Sequence, residues 1–260
     1  MKLLIKLGGT LLDSEESRYS LALQLAGLAA RGHHVAVVHG GGKQLSRYLA
    51  ARGVESRFIN GFRVTTPETL EAVIQVLAGE VNLQLVAALE QAGGRAVGLT
   101  GADAGLVQAV PLSAELGAVG HIERVRPELL DLLTSRGYLP VVACLARGGR
   151  GEIYNVNADQ MAVACAAHFL ADRLIFLTDV EGVLDAEKRL IAELTVEQAA
   201  HLVEARVVSG GMEAKLRACC SALKQGVPEV RIAAGARPRV LEQLLSGGRL
   251  GTREIGRAHV

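Results

Sequence analysis

Apolar residues arrive along this chain in two rhythms. Short, nearly unbroken runs occur in "KLLIKLGG", "HVAVVHGGG", "YLPVVACL", "DRLIFLTDV" and "EVRIAAG". They predict strands covered on both faces, which have no polar side to display. Other stretches space their apolar residues by three and four, which predicts helices. These are residues 17–32, closing on Gly32, "KQLSRYLAARG", residues 66–93, "RPELLDLLTSRG", residues 158–170, "TVEQAAHLVEA" and "GMEAKLRACCSALKQG". Strand and helix in alternation imply an α/β fold of parallel strands joined by helical crossovers. "RAVGL" adds a short strand. Residues 111–125 and 146–155 break the rhythm and are expected to form short antiparallel strands or hairpins at the sheet margin. No linker rich in Pro, Gly or Ser divides the chain, but a new strand–helix series begins after residue 170. The final "GRAHV" has no packing pattern and is expected to fray.

Half of the 260 residues are hydrophobic, enough for a substantial core. Lys plus Arg number 28 against 27 for Asp plus Glu, so the overall charge points to no nucleic acid or other polyanionic partner. Cys144, Cys165, Cys219 and Cys220 show no metal-ligand spacing, and an adjacent pair is a poor disulfide framework. A reducing cytoplasm fits. The N-terminal apolar stretch is too short for a signal peptide, and no eighteen apolar residues run uninterrupted, so no membrane partner is expected.

The candidate chemistry lies where strands end. "VAVVHGGGKQL" suggests a phosphate loop, yet Val37 and Gln44 stand where the Walker pattern needs Gly and Ser or Thr. What survives is a strand delivering bare glycine backbone to a helix start, where N–H groups attract an anion. Gly8 and Gly9 form a second such turn, and ligands bind at that edge of open α/β sheets. Each turn alone is equally a simple bend. Lys6 interrupts an apolar strand, where it either snorkels or faces an anionic partner in the cleft. "YNVNADQ" places Asn155, Asn157 and Asp159 before a helix of small residues. Asp159 there is either a helix cap or a counter-charge. Lys215, one turn into the helix after "SGG", is either solvated or aimed at the same cleft.

Taken together, "IKLGGTLLD" at 5–13, "VVHGGGKQ" at 37–44, "NGFRVT" at 60–65, "VNADQ" at 156–160, "LTDVEGVL" at 177–184, "GGMEAK" at 210–215 and "GTR" at 251–253 resemble the amino-acid kinase family, specifically its N-acetylglutamate kinases. The resemblance spans nearly the whole chain. It implies a three-layer αβα sandwich with a mainly parallel central sheet. Residues 1–170 would form a lobe for amino-acid binding and dimerisation, and 171–260 a nucleotide lobe. It further implies that Lys6 and Lys215 contact the transferring phosphoryl group, organised by Asp159. Gly41, Gly42, Arg63 and Asn155 would hold N-acetyl-L-glutamate, with Arg63 facing a carboxylate. Gly8, Gly9, Thr178, Asp179, Val180, Glu181, Gly182, Val183, Leu184, Ser209, Gly210 and Gly211 match the phosphate and nucleotide region. ATP and Mg²⁺ are implied, with no metal held by the protein's own side chains, and the reaction would serve arginine biosynthesis.

Such a reaction needs no general base, because a carboxylate is already ionised at neutral pH. Its difficulty is repulsion between anions, which lysines, Mg²⁺ and fixed N–H donors relieve. The sequence departs from the family in two places. Ala102 in "GLTGADAG" replaces a loop lysine. The chain also starts almost at its first strand, whereas arginine-inhibited members carry an extra N-terminal helix that joins dimers into a hexamer. A homodimer without arginine inhibition is expected. Two other functions remain open on the residues: a kinase for a related carboxylate such as carrier-bound aminoadipate, and a non-catalytic amino-acid sensor on the same fold.

Overall fold

The computed structural model describes residues 1–255. Its main sheet has eight strands, in the order Glu193–Thr195, Thr252–Ile255, Glu229–Ala234, Arg173–Thr178, Lys2–Leu7, His34–His39, Leu139–Ala143 and Ala96–Thr100. All neighbours are parallel except Thr252–Ile255 against Glu229–Ala234. The first strand is central, with Leu3 to Leu7 paired to Arg173 to Leu177 on one side and to Val35 to His39 on the other. The chain builds outward from it first in one direction and later in the other, so its carboxyl end is a topological switch point.

Period-two alternation puts Lys2 and Lys6 on one face of that strand. Lys2 Nζ reaches Asp131 Oδ1 at 2.6 Å and the carbonyl of Phe169 at 3.1 Å, on the helices Glu128–Ser135 and Ala158–Phe169. Helix Gly210–Lys224 packs beside the latter. The other layer gathers helices Glu15–Ala30, Asn82–Gln91 and Val240–Leu245. This is an α/β fold with a mixed, mainly parallel sheet flanked by helices. Helix starts follow their caps. Ser14 accepts from the Ser17 N–H, Thr66 accepts from that of Thr69 ahead of Pro67, and Thr195 forms a capping box with Gln198.

The long helical stretch predicted over 66–93 is continuous but not uniform. Pro67–Val73 and Asn82–Gln91 are α-helical, and Ile74–Val81 between them is a π-helix. The stretch is long and apolar enough to cross a membrane by composition, and half of its most apolar window is buried inside the fold. Its wide segment carries Leu77 against the glycine turn: a Cβ on Gly41 would stand 2.4 Å from Leu77 Cδ2.

The segments expected at the sheet margin instead build a second sheet. Ile153–Asn155, Leu145–Arg147, Val107–Pro111 and Gly120–Val125 lie in that order. The reason is a chain crossing. A Cβ on Gly101 would sit 2.4 Å from the carbonyl oxygen of Leu145, so the chain leaves the main sheet there at a distance glycine permits. The hairpin Phe58–Ile59 with Phe62–Arg63, helix Val240–Leu245 and strands Glu193–Thr195 and Thr252–Ile255 were not anticipated, and the fraying expected of "GRAHV" lies outside the described residues.

Strand Thr252–Ile255 buries Glu254, which is 1% exposed, beside helix Gly210–Lys224. Cys220 Sγ donates to Glu254 Oε1 at 3.1 Å, and Oε2 has no hydrogen-bond partner. Burial pushes this carboxyl up to about 7, against smaller opposing effects of the Cys220 and Cys219 thiols.

Candidate active site

Three neighbouring strands end together at the switch point, and their turns meet. The Gly8 N–H donates to the carbonyl of Leu177 at 3.0 Å, tying the first turn to the strand that ends in Thr178. A Cβ on Gly9 would lie 3.3 Å from Gly41 Cα and 3.4 Å from Gly42 N. The two glycine turns thus face each other at backbone contact, and Gln44 Nε2 bridges them by donating to Gly9 O at 2.8 Å. Helix Gly42–Ala50 and helix Gly210–Lys224 both begin without a side-chain cap. Their first N–H groups are therefore available to an anion.

Beside these turns sits a buried charge cluster. Lys6 Nζ lies 2.7 Å from Asp159 Oδ1, and Lys215 Nζ lies 3.4 Å from Oδ2. The side chains are 9%, 13% and 17% exposed for Lys6, Asp159 and Lys215, so water screens the cluster weakly. Lys6 approaches Oδ1 as an ion pair without an aligned hydrogen bond, while Lys215 donates to Oδ2. Burial pushes the Asp159 carboxyl up, and the two ammonium groups outweigh it, holding the group below the usual carboxylate range.

The capping role open to Asp159 belongs to Asn157. Asn157 Oδ1 accepts from the N–H groups of Asp159 at 2.9 Å and Gln160 at 3.1 Å. Asp159 is left free to lean across to the lysines.

Arg63 ends the short hairpin and is 9% exposed. Its Nη2 donates to Ser46 Oγ at 2.8 Å and Gly42 O at 3.2 Å, its Nη1 donates to Ser56 Oγ, and Phe58 stacks 4.7 Å away. No carboxylate pairs with it among the described residues. Burial lowers its pKa, and an incoming carboxylate would meet a guanidinium already fixed in place. Gly9, Gly42, Lys43, Ser46, Phe58 and Arg63 line a cavity of about 610 Å³. A second cavity of similar volume lies past the hairpin tip, touching Asn60, Gly61, Asn157 and Asp159. Asn155 joins through Thr65, donating to its hydroxyl at 3.1 Å, and that hydroxyl donates to Arg63 O at 2.9 Å.

Ser209, Gly210 and Gly211 lead directly into the helix of Lys215, and Thr178 bonds Asp179 at 3.0 Å beside the first turn. Gly182 lies tight against Thr252, whose hydroxyl accepts from the Val183 N–H at 2.8 Å. Val180 and Leu184 are exposed, and Glu181 pairs with Arg237 at 2.6 Å rather than with the lysine cluster. Gln44, Ser46 and Ser56 were missed in the sequence because polar residues in a first helical turn or loop carry no periodic signal. His39 was missed too, although a histidine closing an apolar strand before three glycines is itself a signal. Among the described residues no group of three or more His, Cys, Asp or Glu is placed to hold a metal ion.

Comparison with known proteins shows the family of the chain. The chain is 57% identical to an acetylglutamate kinase of Solibacter usitatus, over 98% of this chain and 99% of that one. It is 45% identical to one of Koribacter versatilis, over 94% of each. A crystal structure of N-acetylglutamate synthase from Neisseria gonorrhoeae, complexed with coenzyme A and N-acetyl-glutamate, superposes with a TM-score of 0.90 at 25% identity, covering 99% of this chain and 60% of that longer one. Residues 1–234 match the family model itself, and the chain belongs to the amino acid kinase family.

Proposed function

We propose that this chain transfers the terminal phosphoryl group of ATP to the side-chain carboxylate of N-acetyl-L-glutamate. The observation that carries the reading is the buried Lys6–Asp159–Lys215 cluster beside two facing glycine turns. Two ammonium groups against one carboxylate leave the cluster with surplus positive charge where a phosphoryl group would pass. Asp159 holds both lysines, and the N–H groups near Gly9 and Gly41 complete the cradle for the phosphoryl oxygens. Arg63 binds a carboxylate of the acceptor, held in aim by Ser46 and Ser56. Asn155, linked through Thr65 to the Arg63 carbonyl, would border the same subsite. Similarity to acetylglutamate kinases along the whole chain supports this choice of acceptor.

ATP would supply the phosphoryl group, and Mg²⁺ would help offset its negative charge. Residues 1–170 form the acceptor and dimerisation lobe and 171–260 the nucleotide lobe, with Gly8, Gly9, Thr178 to Leu184 and Ser209 to Gly211 holding the nucleotide. The working form in this proposal is a cytoplasmic homodimer acting in arginine biosynthesis. The test measures ADP release with N-acetylglutamate, glutamate, carbamate and aminoadipate derivatives, with hydroxylamine to trap the acyl phosphate. Turnover that depends on N-acetylglutamate is expected. Turnover only with a non-acetylated acceptor overturns the substrate, and stoichiometric binding without any acyl phosphate points to a sensor.

A further inference from the structure

His39 closes the second strand with no exposed surface, behind the glycine turn rather than in the charge cluster. Its two ring nitrogens have partners that allow one protonation state. Nδ1 lies 3.0 Å from Gly40 O, and a carbonyl only accepts, so Nδ1 carries the proton. Nε2 lies 3.0 Å from Asn82 Nδ2, and an amide nitrogen only donates, so Nε2 is bare. The orientation of the Asn82 amide is itself fixed, because the same nitrogen stands 2.9 Å from the carbonyl of Val141. The imidazole is therefore neutral, in the Nδ1–H form. Burial lowers its pKa to about 4, the Gly40 bond opposes this, and the nearby Lys6 charge adds to the lowering.

The surroundings are built to keep this pair. Asn82 is the first residue beyond the π-helical segment. A Cβ on Gly98 would come 2.2 Å from Asn82 Oδ1, so the neighbouring strand gives up a side chain to make room. Cys144 Sγ donates to His39 O at 3.2 Å, and the Gly40 N–H reaches Leu7 O at 3.4 Å, fixing the preceding peptide as well.

What this network holds is a peptide plane. The described chain has no cis peptide bond, and in a trans peptide the C=O and the following N–H point in opposite directions. With Gly40 O held on the buried imidazole, the Gly41 N–H faces the other way. Glycine on both sides of this bond leaves little steric barrier to rotation of the plane. A rotated plane would aim a carbonyl oxygen at the incoming anion.

We propose that His39 and Asn82 are positioning residues that lock the Gly40–Gly41 peptide with its N–H aimed at the transferring phosphoryl group. The proposal rests on the kinase reading for the identity of that anion. His39→Asn and His39→Gln separate the lock from simple packing. Asn places its amide nitrogen where Nδ1 stood and keeps the donor to Gly40 O, whereas Gln is closer in size but places its donor where Nε2 stood. Expected is a kcat within about tenfold of the parent for His39→Asn and a loss of about 100-fold for His39→Gln, the general scale for one preorganised donor. KM for both substrates should move less than about threefold, as for an interaction made in the transition state. A folded His39→Gln enzyme with normal kcat, or equal losses in both variants, overturns the lock.

Nitrogen-15 NMR of the unsubstituted protein supplies a measurement independent of variant folding. His39 should show a protonated Nδ1 and a bare Nε2 from pH 6 to 8. An imidazolium or the Nε2–H form overturns the proposal. Should the parent enzyme release no ADP with N-acetylglutamate, the kinase reading fails, and the imidazole spectrum still decides the peptide lock.

Discussion

Replacing Glu254 with glutamine tests whether helix Gly210–Lys224 rests on a protonated carboxyl. In the fold this group rises from an ordinary 4.5 to about 7 because it is buried, with one oxygen on the Cys220 thiol and the other without a partner. That displacement corresponds to about 3 kcal/mol. The sign follows from which state loses its proton first. Below pH 4.5 both folded and unfolded chains keep it, and Glu254 costs nothing. Between pH 4.5 and 7 the unfolded chain ionises while the folded one does not, so stability falls as pH rises, and above 7 the full penalty applies. Glutamine cannot ionise, but it leaves a buried amide poorly paired at a cost of about 1 kcal/mol. Glu254→Gln should therefore be about 2 kcal/mol more stable than the parent at pH 8 and about 1 kcal/mol less stable near pH 4.5. Urea unfolding of both proteins at the two pH values measures this. An unchanged stability difference between the two pH values would refute the buried, protonated carboxyl.

Two further substitutions address the site. Asp159→Asn removes the shared counter-charge while Asn157 still caps the helix, so turnover should fall about 100- to 1000-fold, with circular dichroism showing a folded chain; near-normal turnover removes Asp159 from the mechanism. Arg63→Ala should weaken N-acetylglutamate binding by about 2 to 4 kcal/mol, the general cost of truncating a desolvated charge pair, with little change in KM for ATP. A large ATP defect with unaltered acetylglutamate dependence places Arg63 in the wrong subsite.

The strand–helix alternation was legible because strands buried on both faces read as apolar runs, and every helix read from the sequence exists in the fold. Glycine turns and Lys6 marked the candidate site through their misfit: bare backbone and a charge at the end of a buried strand. Asp159 was ambiguous, since capping and counter-charge use the same residue type at a helix start. Only the position of Asn157 Oδ1 separates the two. The second sheet was misplaced because local sequence fixes strand character but not which sheet a strand joins. That depends on the close crossing at Gly101, a contact between residues 101 and 145.

The buried line on the long helix runs Thr69, Val73, Leu77, Val81, Leu85 and Leu89, one residue in every four. On a regular α-helix each such step turns by about 40° beyond a full circle, and five steps by about 200°, which would swing Leu89 to the side opposite Thr69. The wide turns of Ile74–Val81 hold more residues per turn and take rotation back. They also deliver Asn82 beneath His39. Regular winding of this segment at unchanged length would add that rotation back and turn Asn82 away from the imidazole, whereas removing one residue as well would take out about 100° and offset much of the change. The number of residues between Leu77 and Asn82 is thus matched to the wide turns rather than to helix formation, and a variant can keep all its helicity while losing the orientation of one peptide in the glycine turn beside it.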